Sequence, residues 1–247
     1  RPTLYDFLAN YALDFYAANE SALQDTTSQT AFEISDYFSP VDTLNFNDTI
    51  NTSGKYEALK LFRNLLAFHH QKRDTNAYVN LEIERLKFIE EHSTKPDDLE
   101  RFKTALINLK AAYQRHPAST LIDFELASIL FKEESGYPGD TTQKLNKKIA
   151  YQLCHDAISR FENSDGAKQC QSLKENILLK KLSLRAKKFL PVSKPSRLLV
   201  SYANISHVHI RIYQVSPKFD KAFFEEVNDS LRVALLTHEA VQREWGT

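Results

Sequence analysis

Apolar residues recur at steps of three and four along the first 190 residues, and the period changes to two after Pro191. The first pattern is that of helices with one apolar stripe; the second is that of half-buried strands. The spacing predicts seven helices. The first covers Leu4 to Ala18, with Leu4, Phe7, Leu8, Tyr11, Ala12 and Phe15 on the face expected to meet the core. Thr3 and Asp6 make a capping box at its start. The second covers Lys55 to Gln71 through Tyr56, Leu59, Phe62, Leu65, Leu66 and His69. The third starts near Asn76 and carries Val79, Ile83, Leu86 and Ile89. The fourth follows Pro96, its first turn loaded with Asp97, Asp98 and Glu100 to suit the helix dipole, and Pro117 ends it. The fifth begins at Ser119 or Thr120 and carries Leu121, Phe124, Ala127 and Phe131. Gly136, Pro138 and Gly139 break the chain before the sixth and seventh helices, over 142–163 and 166–189, joined by Ser164-Asp165-Gly166. Residues 20–53 read as a long ordered loop pinned by Phe32, Tyr37, Phe38 and Phe46.

Two helix junctions resemble each other. Ala112-Tyr113-Gln114-Arg115-His116-Pro117-Ala118-Ser119 is matched by Ala157-Ile158-Ser159-Arg160-Phe161-Glu162-Asn163-Ser164. The interval from Ala112 to Ala157 exceeds the roughly 34 residues of a tetratricopeptide repeat, and the Gly/Pro insertion at 135–141 accounts for part of the excess. The expected fold is mainly α: a TPR-like helical-hairpin array, an α-solenoid, over residues 1–190. Residues 191–247 are expected to form an incomplete antiparallel β domain. Arg197-Leu198-Leu199-Val200-Ser201-Tyr202 reads as one strand, and Val208, Ile210 and Ile212 alternate with His209, Arg211 and Tyr213 in a second. The turn-like Asn204-Ile205-Ser206 predicts that these two pair as a hairpin. A lone hairpin is marginal in water, so the expectation is the first strands of a domain cut short at Thr247.

Composition narrows the function classes. The 32 basic and 32 acidic residues balance, which disfavours a nucleic-acid binder with its usual basic surplus. Five glycines suit long helices better than a turn-rich β-sandwich. No apolar run approaches the roughly 20 residues of a membrane span.

Candidate chemistry is sparse. Cys154 and Cys170 stand either side of the Asp165-Gly166 turn. Counted from the predicted helix ends, Cys154 lies about 12 Å before the turn and Cys170 about 6 Å after it. That offset suits a disulfide only if the two helices are staggered; two buried free thiols are the other reading. His207 and His209 share a strand face without an evident third ligand, and the zinc spacings CxxC and HExxH are absent. No Gly-rich phosphate loop or GxSxG elbow occurs. Glu90-Glu91 and Glu133-Glu134 sit at helix ends as solvated pairs. Lys180, Lys181, Arg185, Lys187 and Lys188 are expected to decorate the end of the seventh helix, where cations complement the dipole. Neither catalysis nor a cofactor is expected.

Several segments carry a resemblance. Arg1-Pro2-Thr3-Leu4-Tyr5-Asp6-Phe7-Leu8-Ala9, Leu121-Ile122-Asp123-Phe124-Glu125-Leu126-Ala127, and Cys154-x-x-Ala157-Ile158-x-Arg160-Phe161 with Ser164-x-Gly166-Ala167-x-x-Cys170 are among them. Pro195-Ser196-Arg197-Leu198-Leu199-Val200-Ser201-Tyr202-x-Asn204 and Trp245 complete the set. Together they resemble the large alpha-2-macroglobulin-like proteins of Bacteroidetes. The resemblance implies an N-terminal helical region ahead of macroglobulin-like β-sandwich domains, with residues from about 195 as the first strands of one. It implies a protein of the cell envelope that traps or inhibits proteases, membrane-attached only through a lipid anchor outside these residues. Its partners would be proteins, with no nucleic acid and no cofactor. An envelope location would also make a Cys154–Cys170 bridge chemically reasonable. The family's reactive Cys-x-Glu-Gln is absent, since Cys154 is followed by His155-Asp156-Ala157 and Cys170 by Gln171-Ser172-Leu173. The alternative expectation is a free-standing TPR-like adaptor for protein–protein contacts.

Overall fold

The computed structural model describes residues 3–17, 34–44, 46, 54–93, 95–133, 142–187, 197–237, 239 and 241–246. It is mainly helical, with short antiparallel strands in two small sheets. The chain divides into two compact units, Arg1–Ile177 and Leu178–Thr247.

The helical unit holds α1 (Leu4–Ala17), α2 (Gly54–Gln71), α3 (Thr75–His92), α4 (Asp98–Tyr113), α5 (Ser119–Lys132), α6 (Thr142–Arg160) and α7 (Asp165–Leu178). Local chemistry fixes the starts. The Thr3 hydroxyl accepts from the Asp6 amide at 3.2 Å while the Asp6 carboxylate accepts from the Thr3 amide at 3.1 Å, a reciprocal capping box. Asp74 caps α3 by accepting from the Ala77 amide at 3.1 Å, directly after Arg73 closes α2 in the left-handed region at φ 57°. Ser164 accepts from the Ala167 amide at 3.3 Å to open α7.

Two cores result. The larger gathers Leu59, Leu66, Val79, Leu86, Ile89, Leu106 and Ile122 from α2 to α5. The smaller joins α5, α6 and α7 through Ala127, Ala150, Cys154, Ala157, Cys170 and Leu173. Of the long predicted loop, the described part holds two 3-10 turns, Ile34–Phe38 and Val41–Thr43; Phe38 is buried and Tyr37 and Phe46 pack on the larger core. Phe32 and the break at Gly136, Pro138 and Gly139 lie outside the described residues. The two resembling junctions stack on each other: Thr120 Oγ1 and Ser164 Oγ are 2.8 Å apart, and Gly166 lies against the Thr120–Leu121 backbone.

One face of α1 is reversed from expectation. Asp6, Ala9 and Leu13 are buried, whereas Leu4, Phe7, Leu8, Tyr11 and Phe15 are exposed, Tyr11 by 72 %. The buried face can carry an acid because the acid is satisfied. His69 Nε2 lies 3.0 Å from Asp6 Oδ1, and the Thr3 hydroxyl bonds the other oxygen at 2.7 Å. Burial alone would raise the Asp6 carboxyl, but the bonds from Thr3 and the charge and hydrogen bond of His69 hold it below the usual aspartate range. A depressed folded value means stability that is complete above the unfolded pKa of about 3.9 and is lost as pH falls through the folded one. Asp6→Asn is therefore expected to cost about 1–3 kcal/mol at neutral pH. The gap from the parent should close below about pH 4. Urea midpoints across pH check this, and a gap that stays constant through the acid range refutes it.

The strand unit departs from the sequence reading in two ways. Helix seven does not reach Phe189: α7 ends at Leu178, and β1 (Lys181–Ala186) follows as a strand. The basic run from Lys180 thus lies along β1 rather than at a helix terminus, and Lys188, Pro191 and Pro195 fall outside the described residues. Leu182 and Leu184 alternate with Lys181, Ser183 and Arg185, a period of two that suits a strand. The expected pairing of 197–202 with 208–213 does not form either. β2 (Leu198–Ala203) pairs antiparallel with β1, and β3 (His209–Tyr213) with β4 (Val241–Gly246), after α8 (Pro217–Glu225) and α9 (Asp229–Leu236). Asn204, left-handed at φ 56°, ends β2, and its Nδ2 donates to the Leu179 carbonyl at 2.9 Å, closing the β1–β2 ribbon.

The β1–β2 register puts Leu182 opposite Tyr202, Leu184 opposite Val200 and Ala186 opposite Leu198. One face is therefore wholly apolar, and Leu182, Leu184, Leu198 and Tyr202 are exposed on it. On β3–β4, Ile210 faces Trp245, and Arg211 Nε bonds Glu244 Oε1 across the strands at 2.8 Å.

Candidate functional site: an apolar groove over α4, α5 and α6

A groove of about 500 Å³ with a mainly apolar lining lies in the helical unit. α4 contributes Lys103, Ile107 and Lys110, at helical spacing along one side, and Gln114 follows at its C-terminal end. Leu126 and Leu130 of α5 form the floor, and Leu153 and Arg160 of α6 the far wall. Ile107 stands 55 % exposed over this floor.

The rim is ionic and graded. Asp123, on α5 and only 1 % exposed, receives Lys110 Nζ at 2.6 Å and also the Arg160 guanidinium. Arg160 donates further to the Gln114 carbonyl at 3.4 Å. Two cations on one buried carboxylate leave that end locally positive. At the other end Lys103 bonds Glu100 at 2.9 Å and also Glu133, whose carboxylate takes the Asn146 amide at 2.9 Å. Burial alone would lower the Lys103 ammonium; the bonds from Glu133 and Glu100 more than offset it and hold it above the usual lysine range. Lys103 stays charged at any physiological pH, and two carboxylates on one ammonium make that end locally negative.

The sequence motifs are placed as follows. Cys154 and Cys170 come together in the smaller core as buried free thiols. His209 lies on β3, with His207 just before it. Among the described residues no three His, Cys, Asp or Glu side chains gather where they could hold a metal, and no helix is long and apolar enough to cross a membrane. Tyr78 and Tyr113, with rings 5.9 Å apart, border another hollow beside His70 and Asp74. Burial first, then the charge of Glu82, pushes both phenols up, so neither is poised as a base.

Sequence reasoning did not single out Lys103, Lys110, Asp123 or Arg160 as a set. A signal existed: Asp123, like Glu125, interrupts the apolar run Leu121-Ile122-x-Phe124-x-Leu126-Ala127. An acid there needs a buried partner.

No protein-family model, curated protein or solved structure matches the chain.

Proposed function

We propose that this chain is a non-enzymatic protein-binding scaffold whose helical unit seats an extended partner segment in the α4–α5–α6 groove. The groove itself carries the reading. Its volume of about 500 Å³ lies in the range of recognition pockets, its floor is aliphatic, and its charged groups are paired rather than poised for proton transfer. Apolar floor and graded rim fit a short peptide stretch with aliphatic side chains and a carboxylate toward Arg160. We read the seven helices as a TPR-like hairpin array, a reading supported by the stacking of the resembling junctions through Thr120, Ser164 and Gly166.

The wider reading is an envelope alpha-2-macroglobulin-like protease inhibitor, with the helical unit as scaffold or docking module. Its support is the resemblance of the motifs and the bare apolar face of β1–β2. Leu182, Leu184, Leu198 and Tyr202 form the kind of surface that a second sheet covers in a β-sandwich. The adaptor reading shares the groove but gives that face no role.

One experiment with two arms tests the proposal. A peptide-display selection on the chain is expected to enrich aliphatic, acidic segments whose binding falls at least tenfold in Ile107→Asp, an exposed position that leaves the core intact. Enriched peptides indifferent to Ile107→Asp would overturn the groove. In the second arm, a trypsin-like protease mixed with a protein that carries this chain together with the macroglobulin-like domains the reading requires should keep activity on a small chromogenic peptide and lose it on a large protein substrate. Equal activity on both would discard the inhibitor reading and leave the adaptor.

A further inference from the structure

Cys154 on α6 and Cys170 on α7 are both fully buried, among Ala127, Ala150, Ala157 and Leu173. Both side chains belong to the one small core that joins α6 and α7. The observed helix ends explain how. Because α6 stops at Arg160 and α7 starts at Asp165, the cysteines stand six and five residues from the turn. At the helical rise that is about 9 Å and about 7.5 Å, nearly level. The offset that the predicted helix ends imposed is gone.

From this juxtaposition we propose that Cys154 and Cys170 close to an intrachain disulfide when the chain folds with a disulfide oxidant present, tying α6 to α7. The inference is independent of the groove. Chemically, one cysteine thiolate attacks the oxidant disulfide and expels one thiolate. The second cysteine thiolate then attacks the mixed disulfide, forming the Cys154–Cys170 bond and expelling the other. The chain loses two electrons and two protons, and the oxidant, glutathione disulfide or a protein disulfide donor, is reduced to two thiols. Since both sulfurs are buried, exchange takes place before the smaller core closes. The bond would also fix α6, the helix that brings Leu153 and Arg160 to the groove.

The test is to refold the chain in a glutathione disulfide buffer or in dithiothreitol, unfold it, alkylate with iodoacetamide, and map the digest by mass. After oxidant, a linked Cys154–Cys170 peptide is expected, with neither cysteine alkylated and the chain remaining monomeric. The oxidised protein should melt about 5–10 °C above the reduced one. In Cys154→Ser and Cys170→Ser that oxidant-dependent rise should vanish. Two alkylated cysteines after oxidant, a bridge only between chains, or a rise that persists in the serine variants would each overturn the proposal.

Discussion

An Arg85→Ala variant is expected to lose about 3–5 kcal/mol of stability. Arg85 is 1 % exposed in the middle of α3, and its guanidinium makes four bonds. Two go to the buried Glu82, at 2.7 and 2.5 Å. The other two reach the carbonyls of Tyr37 and Ser39, at 2.5 and 3.1 Å, and so hold the first 3-10 turn against α3. Alanine would leave the Glu82 carboxylate uncompensated and two carbonyls short of a donor. Breaking a buried pair costs more than the pair contributes, because the orphaned charge cannot reach water. Arg85→Met with Glu82→Leu removes both charges and should recover most of the loss. Urea denaturation of the three proteins gives the answer. A single variant within about 1 kcal/mol of the parent would mean that the charges are hydrated after all.

Gly166→Ala is the second large effect. A Cβ at Gly166 would stand 2.3 Å from the Leu121 amide nitrogen and from the Thr120 carbonyl carbon. Those atoms are helix backbone, so no rotamer change relieves the clash. The start of α7 would have to lift off the start of α5, opening the Thr120–Ser164 bond. The expected cost is about 3 kcal/mol. That corresponds to a melting temperature lower by roughly 6–12 °C. A thermal melt checks it. Unchanged melting would show that the two junctions do not touch at this point.

Much of this was legible from residue spacing. The starts of α2 to α6 fall within a residue or two of the pattern, because Asp74, Pro96 and Pro117 punctuate the chain locally. Three features were not legible, each for a tertiary reason. On α1 the stripe with more apolar mass is the exposed one; the pattern could not show that Thr3 and His69 would satisfy Asp6. At the end of α7, leucines at 178, 179, 182 and 184 fit a helix stripe almost as well as a strand face. Pairing with 198–203, distant in sequence, decided for the strand. The groove ions come from three different helices, so no window along the chain contains them. Asp123 alone hinted at the set.

One helix, α5, gives fully buried side chains to both cores. On α5, Leu126 belongs to the larger and its neighbour Ala127 to the smaller, so α5 has no face left for water over its middle turns. The floor of the groove, Leu126 and Leu130, is cut from the same helix. A segment seated there would thus clamp the element through which both halves of the helical unit melt. Its footprint in amide exchange would spread from α2 to α7, far past the side chains it covers.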